Sequence, residues 1–206
     1  MLQFVIQGRG GQGAQTAGNL LASAFFAEGR QVQCFASYGG ARRGTPVSSY
    51  LRVDDRPVRL RCDIERADAI LCFDASLLEG RLLATACQES FAPLRAPEPA
   101  LGAARRVHAG TLIVVNSAQS GEHFARLLPG YRVIPIDGLT IARRNGLGRI
   151  VNSALLGAFA RAVSAPTLDA LALTLSEQVP KLRAENVAAC TEGYRAADAQ
   201  LSAATI

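Results

Sequence analysis

The chain has 206 residues, 49% of them hydrophobic, with a mean hydropathy of +0.15; that suffices to bury the core of one domain, and no apolar run approaches the roughly 18 residues that a bilayer span requires. Its five cysteines are odd in number and none forms a C-x-x-C pair, which argues against a disulfide framework, a zinc site or an iron–sulfur cluster within this chain. The net charge of +5 is almost entirely arginine, Lys181 being the only lysine; it reflects either a compositional bias or an arginine-lined anion site, and the lack of basic runs and of an aromatic-rich signature argues against nucleic acid.

Residues 3–7 (QFVIQ) predict a first strand. A helix follows from about Gly11 to Glu28, with Ala14, Ala17, Leu21, Ala24 and Phe25 at helical spacing and Gly29 as its stop. VQCFA at 32–36 is a second strand, which gives the β-turn-α-β opening of a doubly wound sheet. VSSYLRV (47–53) and VRLRCDI (58–64) alternate and predict a hairpin, with Val58, Leu60, Cys62 and Ile64 on its buried side and Arg59, Arg61 and Asp63 on the other. AILCF (69–73) and TLIVV (111–115) are continuous apolar runs that fit central parallel strands. RVIPI (132–136) is a further strand, and Pro135 places it at an edge or a strand end.

Between the central runs, 77–87 predicts a helix. Residues 90–110 contain three prolines and no clear period, so they predict a loop that serves function or an interface, or is a tolerated insertion. The remainder predicts helices at about 149–163, 167–177 and 181–201. Gly157, inside the first, costs about 1 kcal/mol against alanine; close approach of a neighbouring backbone explains it. The whole predicts a single α/β domain over 1–206: a Rossmann-like doubly wound sheet with an inserted β-hairpin and a C-terminal helical portion from about 149. The opening MLQFVIQ lacks a basic leader pattern, and a cytoplasmic protein is expected.

Gly8, Gly10 and Gly13 spell G-x-G-x-x-G between a strand and a helix. Each has a mechanical reason: a tight turn, room for a phosphate, and close packing of helix on strand, with the helix N-terminus adding donors and partial positive charge. The alternative is a tight turn with nothing bound. A dinucleotide site of the NAD type also wants an acid at the end of the second strand. Here that strand runs into Ser37-Tyr38-Gly39-Gly40 with no acid, and Arg42 and Arg43 follow. That weakens NAD, leaves NADP open, and keeps anion binding.

The turn reads GRGGQG, and the dinucleotide fingerprint requires neither Gly11 nor Gln12. GRGGQG, SYGGARRGTPVSSYLRV at 37–53 and RPVRLRCDI at 56–64 resemble the gamma subunit of 2-oxoacid:ferredoxin (acceptor) oxidoreductases, the pyruvate/2-ketoisovalerate group. ADAILCFD, TLIVVNS and VNSALLGAF extend the likeness more weakly over most of the chain. Thr45 departs from a glycine often found after the Arg-Gly pair.

The resemblance implies a non-catalytic subunit of a complex that makes acyl-CoA and CO2 from a 2-oxoacid. Thiamine diphosphate, Mg2+ and [4Fe-4S] clusters then belong to alpha, beta and delta-type partner subunits, and electrons pass to ferredoxin or another acceptor. No cofactor is expected to bind tightly in this chain. Coenzyme A is the implied ligand: Gly8, Gly10, Gly11, Gln12 and Gly13 for its pyrophosphate, Arg9, Arg42 and Arg43 for phosphate contacts, and Tyr38 for stacking or hydrogen bonding. Two other readings stay open at this point: a stand-alone NADP-binding oxidoreductase and an indolepyruvate oxidoreductase beta subunit.

Overall fold

The computed structural model describes residues 1–38, 44–78 and 110–203. Most of the expected helix at 77–87 and of the loop at 90–110 lies outside those residues, as do Arg42 and Arg43. Among the described residues, six strands form one sheet: β1 (Leu2–Arg9), β2 (Gln31–Tyr38), β3 (Pro46–Asp54), β4 (Ala69–Cys72), β5 (Leu112–Asn116) and β6 (Arg132–Ile136). The helices are α1 (Ala14–Ala27), α2 (Gly121–Leu127), α3 (Gly138–Arg144), α4 (Asn152–Val163), α5 (Leu168–Gln178) and α6 (Arg183–Ala203).

The strand order is β2-β3-β1-β4-β5-β6. β1, β4, β5 and β6 run parallel, whereas β3 is antiparallel to both β1 and β2. The apolar runs of β4 and β5 are continuous because both of their faces are covered. On one face Phe4, Ile6, Leu71, Val114 and Ile134 pack against helices α1 and α3 to α6. On the other, Ile113 and Val115 meet Phe124 of α2, and Val5, Tyr50 and Ile70 meet Ile64 and Ala67. Phe4 stacks on Phe25 at 6.0 Å and takes the edge of Phe159 at 5.3 Å, which fixes α1 and α4 over β1. Pro135 does sit on an edge strand, where its missing N–H leaves no ladder bond unmade.

The expected hairpin of 47–53 with 58–64 does not form; β2 takes the place of the second strand. β3 pairs along its whole length with β1 on one side and β2 on the other, so no edge remains for 58–64. That segment forms no strand and crosses the sheet face instead. Ile64 alone of its apolar set is fully buried, and Leu60 and Cys62 are exposed. Beneath it lies Arg52 of β3, 1% exposed, whose guanidinium donates to Asp63 O, Gln3 Oε1 and Gln33 Oε1 at 3.1–3.2 Å. The arginine of an alternating strand is thus a clamp on the covering segment.

Two short helices, α2 and α3, escape the helical pattern because seven residues span under two turns. Each is capped: Ser120 accepts from His123 N at 3.3 Å, and Asp137 from Thr140 N at 2.9 Å. Gly157 finds its explanation in α6. A Cβ built there meets Cys190 O at 1.9 Å, and one built on Gly193 meets Ala154 O at 1.9 Å. The two glycines are reciprocal, and α4 and α6 pack backbone to backbone. Among the described residues, no helix is long and apolar enough to cross a membrane.

Candidate functional site

The glycine turn leaves β1 and enters α1. Gly11 (φ 95°) and Gly13 (φ 86°) occupy the left-handed region that glycine tolerates. Gly10 N donates to Thr45 O at 2.9 Å, which pins the turn against the start of β3. Gln12 accounts for its own place in the motif. Its Oε1 accepts from Arg9 N at 2.7 Å and its Nε2 donates to Asp74 Oδ2 at 3.3 Å, so one side chain ties the turn both to its own start and to the segment after β4. Gly13 abuts α4: a Cβ there would lie 2.4 Å from Asn152 Nδ2, and that same nitrogen donates to Gly13 O at 3.1 Å.

Arg9 is engaged within the chain. Its Nε pairs with Asp74 Oδ2 at 2.8 Å, Nη2 donates to Ser76 Oγ at 2.9 Å, and Nη1 reaches Gly44 O at 3.5 Å. Partial burial works to raise the Asp74 carboxyl, but hydrogen bonds from Ser76 and Arg9 outweigh it and hold the group below its ordinary value. The consequence has a definite sign. The pair stabilises the fold fully above the ordinary carboxylate range, and the contribution is lost as pH falls through that range and below. Asp74→Asn is expected to lower stability at neutral pH by about 1 kcal/mol, since the pair is partly exposed. Denaturation of the two proteins between neutral pH and about pH 3 should show the gap closing on acidification; a constant gap would refute this role for Asp74.

Two clefts flank the turn. One, of about 840 Å³, runs between Arg9, Gly10, Gly11 and Gly13, the first residues of α1, Tyr38, Thr45 and Val47. Tyr38 is 56% exposed at its wall, and its hydroxyl donates to Gln15 Oε1. The other, of about 450 Å³, lies between Gly11–Gly13, the ends of β4 and β5 at Phe73 and Asn116, and Arg143, Arg149 and Asn152. The structure therefore brings Arg9, Gly10, Gly11, Gln12, Gly13 and Tyr38 to cleft walls. Gly8 is packed within β1 against Phe73 and Ala14, and Arg9 is turned to Asp74. Sequence reasoning missed Arg143, Arg149 and Asn152; the glycine-spaced RRNGLGR before α4 was the available signal.

Neither cleft wall carries a carboxylate, imidazole or thiol among the described residues. Burial pushes the thiols of Cys72 and Cys190 up to about 12, so neither is a ready thiolate. Among the described residues, no group of three or more His, Cys, Asp or Glu is placed to hold a metal ion. Among the described residues, the cleft walls offer N–H and guanidinium donors suited to an anion and no acid–base or nucleophilic pair.

The sequence matches the pyruvate ferredoxin/flavodoxin oxidoreductase family over residues 3–196. It is 33% identical over 180 residues to the pyruvate/ketoisovalerate oxidoreductases common subunit gamma of Thermococcus kodakarensis, with 86% of each chain covered. The structure is similar to that of a pyruvate oxidoreductase subunit of Thermotoga maritima, with TM-score 0.71 and 25% identity over 94% of this chain and 95% of that one. It shares its fold with part of a 2-oxoglutarate:ferredoxin oxidoreductase of Magnetococcus marinus that holds 2-oxoglutarate, coenzyme A and succinyl-CoA. There the TM-score is 0.69 with 20% identity, over 96% of this chain and 31% of that one.

Proposed function

The chain belongs to the pyruvate ferredoxin/flavodoxin oxidoreductase family, and from that premise we propose that it is the non-catalytic gamma-type subunit of a 2-oxoacid:acceptor oxidoreductase complex, where it helps to bind coenzyme A and to assemble the complex. One observation carries the non-catalytic part: the glycine turn opens on two clefts whose described walls offer backbone, amide, hydroxyl and guanidinium groups and no acid, base or nucleophile. Such walls recognise phosphate and leave bond breaking to other chains.

In this reading, alpha, beta and delta-type partners hold thiamine diphosphate, Mg2+ and [4Fe-4S] clusters, which supply decarboxylation and electron transfer to ferredoxin or another acceptor. This chain's part is positional. Gly10, Gly11 and Gly13 allow close approach of a pyrophosphate, Gln12 and Arg9 fix the turn, Tyr38 lines the path, and Arg42 and Arg43 are assigned to phosphate contact. The complex works in the cytoplasm. A stand-alone dinucleotide enzyme fits less well, because β3 lies between β1 and β2. It displaces the end of β2, where a ribose-binding acid would stand, by one strand spacing, about 4.8 Å.

Titration of the assembled complex with coenzyme A tests the proposal. Arg42→Ala and Arg43→Ala each remove a charge-assisted hydrogen bond worth about 1.5–3 kcal/mol, a rise in apparent KM of about ten- to hundredfold. Gly10→Val should raise it further by blocking backbone approach. Reduction of an artificial acceptor without coenzyme A should survive in the arginine variants. Wild-type coenzyme A dependence in intact complexes of all three variants would refute a coenzyme A role for this chain.

A further inference from the structure

The geometry points to the smaller cleft, on the side of the glycine turn away from Tyr38, as the pyrophosphate subsite, with Arg143 and Arg149 as its cations. This rests on the reading that the chain binds coenzyme A, and it names residues outside the glycine motif. The cleft stands where an open α/β sheet receives ligands. From β1 the chain passes through α1 toward β2 and β3, and then returns to build β4, β5 and β6 on the opposite side. The crevice at the carboxyl ends of β1 and β4 is therefore the switch point of the sheet, and Gly11, Gly13 and Phe73 form its walls.

The charge there is uncommitted. Arg143 and Arg149 are exposed side chains on the same cleft, and among the described residues neither has a carboxylate within ion-pair distance. The adjacent Arg144 is turned away and pairs with Glu192 at 3.2 Å. Asp137, whose carboxyl senses the Arg143 charge, has its oxygens bound by Thr140 N at 2.9 Å and Thr140 Oγ1 at 2.6 Å. Asn116 and Asn152 frame the floor and are likewise committed, to Phe73 O, Gly138 N and Gly13 O. In the larger cleft the described cation is Arg9, which Asp74 already neutralises. Two arginine forks beside a glycine turn match the bidentate geometry of a pyrophosphate. Neither α1 nor α4, both of which begin at this cleft, has a side-chain cap on its first N–H groups, and that adds to the attraction.

The test is calorimetric titration of the assembled complex with coenzyme A, dephospho-coenzyme A and pantetheine. Arg143→Ala and Arg149→Ala should each weaken coenzyme A by about tenfold or more. They should weaken dephospho-coenzyme A equally, since it keeps the pyrophosphate, and leave pantetheine, which carries no phosphate, unchanged. Arg149→Lys should recover part of the loss, and Arg144→Ala should bind as wild type. Wild-type coenzyme A affinity in both alanine variants overturns the assignment. So does a loss confined to coenzyme A, which would place the 3′-phosphate there. If Gly10→Val weakens coenzyme A while the arginine variants do not, only this assignment falls. If none of them matters, the coenzyme A role of the chain falls with it.

Discussion

Gly157→Ala is expected to destabilise the protein by about 2 kcal/mol, although alanine is the better helix former. Helix propensity alone would favour the substitution by about 1 kcal/mol. Against it, the new methyl would lie 1.9 Å from Cys190 O and 2.7 Å from Cys190 C, and both are backbone atoms of the facing helix. A side chain could rotate away; a helix backbone must translate. Overpacking a closed core typically costs about 1–3 kcal/mol, and the upper end applies where nothing flexible yields. α4 and α6 must part, and their separation loosens the contacts of Leu155 and Phe159 in the same core. Gly193→Ala should cost a similar amount, by the mirrored contact with Ala154 O. The double variant should cost less than the sum, because helices already parted by one methyl have room for the other. Denaturant midpoints of the four proteins, at constant m, measure this. A higher midpoint for Gly157→Ala would show that the helices are not in backbone contact.

That contact was legible in part. A glycine inside an apolar helical stripe is a local anomaly, and close approach is its usual reason, but only the fold names Cys190 and Gly193 as the other side. The same division runs through the chain. β4 and β5 were readable because double-sided burial removes alternation, and Pro135 marked the edge strand. Residues 58–64 were misread because alternation is also what a surface-crossing segment with arginines looks like. What decides is whether β3 has a free edge, and that is a property of the whole sheet. At the site, GRGGQG was visible as a motif because its geometry is local. Arg9 was assigned to phosphate and is held by Asp74, a pairing 65 positions apart that no local pattern announces. Arg143 and Arg149 lie far along the sequence from the turn and share a cleft with it because α4 begins against Gly13. Arg42 and Arg43 lie outside the described residues, and their assignment rests on the resemblance.

Gly13→Ala joins the two themes, since that residue serves both the fold and the site. Its φ of 86° lies where an L side chain is strained, at about 1–2 kcal/mol. Its Cβ would lie 2.4 Å from Asn152 Nδ2, so the Asn152 side chain must move and release Gly13 O, at about 1 kcal/mol for the lost hydrogen bond. The expected total is ~2–3 kcal/mol. Asn152→Ala alone should cost only the hydrogen bond. In the combined Gly13→Ala, Asn152→Ala variant the collision disappears but the backbone strain stays, so its cost should fall below the sum of the two singles. Function should divide differently. Gly13→Ala re-aims the N–H groups of the turn, so the assembled complex should need at least tenfold more coenzyme A; Asn152→Ala leaves the turn's own dihedrals in place and should shift that requirement less. Melting curves and coenzyme A titrations on the same set of complexes separate the effects. Additive stabilities would show that Asn152 and Gly13 are not in contact. A folded Gly13→Ala complex with wild-type coenzyme A dependence would remove the turn from the ligand's path.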